Sequence, residues 1–138
     1  MEAIEVYRSF NSNKSFEELQ YNVSRHKTTI ENLKFELHFY KFLLSKAIFK
    51  PHVINLYERL TKFKNEIMAM NESGIDLINE LNSHAHLIRN KIEYEDLACD
   101  NFFIKNHDDL ELKVFSFNTK ISNFKFRLFQ YMESVINN

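Results

Sequence analysis

A chain of 138 residues has room for one domain with a hydrophobic core, and its single Gly and single Pro exclude most glycine-dependent architectures. Hairpins, phosphate-cradling loops and dinucleotide-binding turns need glycines at fixed places, which one glycine cannot supply. A formal net charge of −1 provides no global field for nucleic acid or an anionic membrane.

Residues 1–12 read as an N-terminal arm. Its opening, MEAIEVYRSF, carries acids and lacks a basic stretch followed by an apolar run, so no signal peptide is expected. Two Asn-x-Ser sequons, at Asn22 and Asn71, are then chance matches. The first helix is predicted over about 14–49. Ser15 with Glu18 matches a capping box at its start. Intervals of three and four pick out Phe16, Leu19, Val23, His26, Ile30, Leu33, Leu37, Tyr40, Leu44 and Ala47, a heptad seam with one polar member. Pro51 closes this helix, because the residue before a proline avoids helical geometry, and it suits the first turn of the next.

The second helix, about 51–95, continues the pattern through Val53, Leu56, Leu60, Phe63, Ile67, Met70, Gly74, Leu77, Leu81, His84, Ile88 and Lys91. Gly74 costs about 1 kcal/mol inside a helix and could end one, giving four helices instead of three. The heptad phase nevertheless runs straight through it, which favours one continuous helix. Cys99 follows; as the only cysteine it can form no intramolecular disulfide. A third helix, about 101–136 with Asp100 or Asn101 as cap, reads His107, Leu110, Val114, Phe117, Ile121, Phe124, Leu128, Tyr131 and Val135. The fold class is therefore all-α: one domain, an antiparallel bundle of three long helices with coiled-coil-like heptad seams. The densest apolar run, FLLSKAIF, is interrupted by Lys46 and too short to span a bilayer, so the expectation is a soluble cytoplasmic protein with no transmembrane segment.

A tight turn at Pro51 makes the numbers of facing residues in helices one and two sum to roughly 100, and a turn near residue 99 makes those of helices two and three sum to roughly 198. These sums stack His26 with Gly74 and Phe124, so the glycine makes space for two bulky rings. They put His84 near Phe16 and Val114, and His107 near Lys91. They also end helix three near the height of Leu37, so the hairpin between helices one and two projects by about 8–10 residues, roughly 12–15 Å. Phe39, Phe42, Leu43, Ile48, Phe49, Ile54 and Tyr57 lie outside the main seam on this tip and form the candidate interaction surface. Phe115, Phe126, Phe129 and Ile136 make a second stripe on helix three. Burial of the tip is expected in an oligomer, most economically a homodimer, or beneath residues 1–12.

The six histidines do not follow a metal-binding pattern. His84 and His86 point about 200° apart on a helix, and no Glu-x-x-His occurs. His26, His84 and His107 face inward at different levels by the layer arithmetic, as register-setting polar residues. No metal and no cofactor is expected. No nucleophile elbow or phosphate loop appears, so the chain is expected not to be an enzyme. Lys41, Lys46, Lys50, Lys62 and Lys64 flank the aromatics of the tip and read as solubilising charges rather than a strong nucleic-acid signal.

The stretch IRNKIEY resembles the Arg-Asn-x-x-x-His motif of HEPN-type ribonucleases and toxins. Arg89 and Asn90 match, and Tyr94 stands where that family has its catalytic histidine. Tyrosine at its ordinary pKa cannot act as a near-neutral acid–base group, so the resemblance implies a helical bundle without ribonuclease activity. The leading functional expectation is a non-enzymatic helical interaction or scaffold protein that self-associates or binds a helical partner. The alternative is a small RNA-associated or toxin–antitoxin-like bundle with this degenerate motif.

Overall fold

The computed structural model describes residues 9–94 and 100–137. Three helices in sequence, α1 (Phe16–Leu44), α2 (Leu56–Tyr94) and α3 (Asp100–Val135), pack as an all-α bundle. Helix α1 starts where a cap is available: the Ser15 hydroxyl accepts from the Glu18 backbone N–H at 3.1 Å, satisfying one of the orphan donors of the first turn. The apolar seam supplies the core. Leu19, Ile30 and Leu37 on α1, Leu81 and Ile88 on α2, and Phe103, Ile121, Phe124 and Leu128 on α3 are all essentially inaccessible.

Helix α1 ends at Leu44, five residues before its expected end, and α2 begins at Leu56 rather than at Pro51. The connection thus occupies residues 45–55, and Pro51 lies within it. His52 and Asn55 adopt left-handed backbone, with φ of 64° and 59°, a conformation that Asn and His enter more readily than most residues. The Asn55 carbonyl accepts from the Arg59 N–H and starts α2. Residues 48–50 run antiparallel along the end of α3. Phe49 and Ile136 form an isolated bridge, Lys50 N–H donates to the Val135 carbonyl at 2.8 Å, and Asn137 N–H donates to the Ile48 carbonyl at 2.7 Å.

This long connection corrects the register inferred from a tight turn. Lys34 sits beside Gly74, and Lys91 lies 5.8 Å from the Phe16 ring, so α2 has slid by about two turns relative to α1. Helix α3 slides with it. His26 meets Glu111, Glu36 meets Lys125, and the Tyr40 ring lies 5.6 Å from that of Phe129. The α3 partners of α1 are therefore about ten residues earlier than the tight-turn arithmetic gives, roughly 15 Å. In consequence the hairpin does not project: the end of α3 rises beside it and is tied to residues 48–50.

Helix α2 runs unbroken through Gly74, so the four-helix alternative is not realised. The glycine does make space, but for other residues than His26 and Phe124. A Cβ placed there would lie 3.1 Å from Phe117 Cζ and 3.3 Å from Lys34 Cδ. The arm residues 1–8, together with Glu95 and Cys99, lie outside the described residues. Among the described residues no helix is long and apolar enough to cross a membrane.

Candidate functional site: an aromatic surface and a buried polar array

The seam residues of α1 account for one face of the helix. The 3.6-residue period puts Phe35, Phe39 and Phe42 on the opposite face, pointing away from the core. Phe35 is 76% exposed, and Phe39 and Phe42 are about half exposed at 54% and 52%. Helix α1 is thus apolar on both faces over its last three turns. A helix of that kind is normally covered on both sides. The surface continues onto α3. Phe39 and Phe42 stand 6.5 Å apart, Phe39 packs on Tyr40 at 6.2 Å, and Tyr40 packs edge-on to Phe129. Phe126 and Phe115, exposed on the same helix, extend the apolar surface along α3.

The residues expected on the tip fall into two groups. Phe39, Phe42, Ile54 and Tyr57 are exposed, the last two on the connection and the first turn of α2. Leu43, Ile48 and Phe49 are half-buried and packed against the core beside the end of α3. Phe35 was not on the expected tip, because the tight-turn register put it below the end of α3. Its spacing of four and seven from Phe39 and Phe42 is the signal that joins it to them. Of the basic residues, Lys46 places its ammonium 4.3 Å from the centre of the Phe42 ring, while Lys50 is engaged with the end of α3. Arg59 and Lys62 line a groove between α2 and α3 with Glu66 and Arg127, but Arg127 is already held by Glu66 through two bonds of 2.9 and 3.1 Å.

The inward-facing histidines, expected at separate levels, converge instead. The rings of His84 and His107 are 5.3 Å apart, and those of His26 and His107 6.4 Å. The same slide of α2 and α3 brings them together. Phe16, expected near His84, meets Phe103. Hydrogen-bond chemistry orients the array. The Asn106 amide donates to His84 Nδ1 at 3.1 Å, so His84 carries its proton on Nε2 and donates it to His107 Nδ1, also at 3.1 Å. His107 then carries its proton on Nε2. That N–H points toward Glu111 Oε1 at 3.7 Å, too far to bond, and is a buried donor without a partner. Glu111 accepts from His26 Nε2 at 2.9 Å and from the Asn11 amide at 2.6 Å.

Asn11 belongs to the segment before α1. It is buried, its amide also donates to Asp108 at 2.6 Å, and Ser9 donates to the same Asp108 oxygen at 2.7 Å. Lys14 donates to the Asn11 side-chain carbonyl at 2.9 Å. The described end of the arm is therefore fixed to the first third of α3, at the height of His26, about 20 residues or roughly 30 Å from the α1–α2 connection, and does not cover it. Burial pushes the His84 imidazole down to about 4, helped by the neighbouring His107. Burial also lowers His107, opposed by Glu111 and reinforced by His26 and Lys14. For Glu111, burial raises the carboxyl, but the bonds from Asn11 and His26 and the proximity of His107 more than reverse it.

Both ring nitrogens of His84 and Nδ1 of His107 are engaged in hydrogen bonds, and within this array the His107 Nε2–H lacks a partner. Among the described residues no group of three or more His, Cys, Asp or Glu is arranged to hold a metal ion. Asn11, Asp108 and Glu111 were not identified from sequence; the one signal was Glu111 lying a helical turn after the seam residue His107. In the motif-like stretch, Arg89 is exposed and the Asn90 amide approaches His86 at 3.4 Å. The side chain of Tyr94 lies outside the described set. No family model, no curated protein and no solved structure matches this chain.

Proposed function

We propose that the chain is a non-enzymatic helical interaction or scaffold protein, working by self-association or by binding a helical partner through the aromatic surface of α1 and α3. The observation that carries this reading is the face of α1 opposite the core, where Phe35, Phe39 and Phe42 stand in water and Phe39 connects through Tyr40 to the exposed Phe129 of α3. Large exposed aromatics scattered singly need no explanation, but a contiguous band of them marks a contact surface. The polar array supports the same reading indirectly. Apart from the His107 Nε2–H its groups bond one another, and they hold the segment before α1 in place, as a structural device does.

The test uses surface variants that leave the core intact. Phe39→Ser with Phe126→Ser is expected to keep the helical circular dichroism of the wild type. It is also expected to shift the chain from a complex to the elution volume of a free 16.6 kDa protein on native gel filtration. Elution of wild type and variant at the same volume, both as purified chains and in extracts of the native source, would contradict the reading.

A further inference from the structure

Resting on the reading of the aromatic surface as a contact face, we infer that its occupant is a second copy of this chain, docked antiparallel about a two-fold axis beside Phe39. Along the outer face of α1 the order is Glu31, Phe35, Phe39 and Phe42, with Lys46 two residues past the helix end in the connection. Glu31 is exposed one turn before Phe35, and the Lys46 ammonium sits over the Phe42 ring, so each charge lies at its own end of the aromatic stripe. The stripe is its own complement when reversed. With the axis midway between His38 and Phe39, Glu31 faces Lys46 of the second copy and Phe35 faces its Phe42. Both ends then match acid with base. A parallel pairing would set acid on acid and base on base. A two-fold interface makes every contact twice, so one such pattern serves both halves.

Helix α3 carries the same axis independently. The Glu36–Lys125 bond at 3.2 Å and the Tyr40–Phe129 contact both pair residues 89 apart. The axis beside Phe39 therefore projects onto α3 between residues 127 and 128, midway between Phe126 and Phe129. Phe126 then faces Phe129 of the second copy. Area agrees with this two-helix contact. One helix width over the 17 helical residues from Thr28 to Leu44, roughly 10 Å by 26 Å, gives about 260 Å². Two helix widths give about 520 Å², close to the ~600 Å² per partner at the lower end of stable interfaces.

Sedimentation velocity of the full chain across a dilution series tests this with charge reversal. Glu31→Lys alone and Lys46→Glu alone each place like charges at both ends, and each is expected to raise the dimer Kd about tenfold, equivalent to about 1.4 kcal/mol. The double variant restores both pairs with opposite polarity and is expected to return to within about threefold of wild type. Phe126→Asp is expected to give a monomer of unchanged helicity. A dimer indifferent to the single reversals, or a double variant as weak as the sum of the singles, would overturn the antiparallel pairing. A wild-type monomer at every concentration would overturn the second copy as occupant. The contact-face reading is then judged separately: a complex isolated from the native source and lost in the Phe39→Ser, Phe126→Ser variant keeps it, and absence of any such complex overturns it too.

Discussion

At the residue scale, the His84–His107–Glu111 array links pH to stability in a fixed direction. The folded state holds His84 neutral, with its pKa down from 6.5 to about 4. Below pH 6.5 the unfolded chain takes up a proton that the folded chain refuses. The stability contributed by neutral His84 is thus present above pH 6.5 and lost as pH falls toward 4, amounting to about 3 kcal/mol over that window. His107 adds loss of the same sign, since its pKa is also lowered. Glu111, lowered below 4.5, contributes stability that disappears only as pH falls further, through its folded value. Urea melts at pH 7.5, 5.5 and 4.5 are expected to show midpoints falling across this range. His84→Leu is expected to flatten the slope by about one proton. A midpoint unchanged between pH 7.5 and 4.5 would mean the rings are solvated.

Removing Glu111 takes one of two acceptors from the buried Asn11 amide, leaving Asp108, and removes the partner of His26 Nε2. Glu111→Ala is expected to cost about 1–3 kcal/mol and to expose residues 9–14 to proteases before the helices unfold. The sequence located His84 and His107 on the inner faces correctly, because a heptad seam reads burial directly. It could not pair them. The contact between them depends on an interhelical register that no single helix encodes, and Asn11, which joins the array through Glu111, lies outside any periodic pattern. His26, expected from the seam as an inward-facing, register-setting polar residue, is bonded to Glu111, so a leucine there removes a bond.

At the scale of elements, three long helices were legible because apolar residues recur every three and four positions and chain breakers are nearly absent. Their offset was not, because it is set by the 45–55 connection. Pro51 is the only loud signal in that stretch, and it lies in the middle of the connection instead of at a helix start. The left-handed residues His52 and Asn55 and the clip between residues 48–50 and 135–137 carry no comparable signature. The clip separates two phenylalanines that looked alike in sequence. Phe49 is half-buried beside Ile136, and Phe42 is exposed. Phe49→Ser is expected to lower stability by about 1–2 kcal/mol, while Phe42→Ser leaves it within about 0.5 kcal/mol when measured on dilute protein. Equal effects of the two would argue against the clip.

Gly74 lies where the Phe117 and Lys34 side chains pack close against α2. Alanine there gains up to about 1 kcal/mol of helix propensity but asks the Phe117 ring to yield by a few tenths of an ångström, so Gly74→Ala is expected to be near neutral. Gly74→Leu overpacks the site and is expected to cost about 1–3 kcal/mol. Combining it with Phe117→Ala should recover part of that cost, because the two side chains share one space. Strict additivity in thermal melts would mean that the ring does not occupy it.

At the scale of the whole molecule, the three helices spend their inner faces on one another and leave one aromatic face in water. The phenylalanines off the seam were visible in the sequence as a surplus over what a three-helix core needs. Their grouping across α1 and α3 was not visible, since it follows from the same register that joined Tyr40 to Phe129. The protomer has a mass of 16.6 kDa, and the antiparallel pairing proposed above would double it. Sedimentation equilibrium on the full chain at micromolar concentration tests this face most directly. The expected result is a mass twice that of the protomer for the wild type and a single protomer mass for Phe126→Asp at equal helicity. A wild-type mass of one protomer throughout the concentration range, with the aromatic face open to labelling, would contradict it.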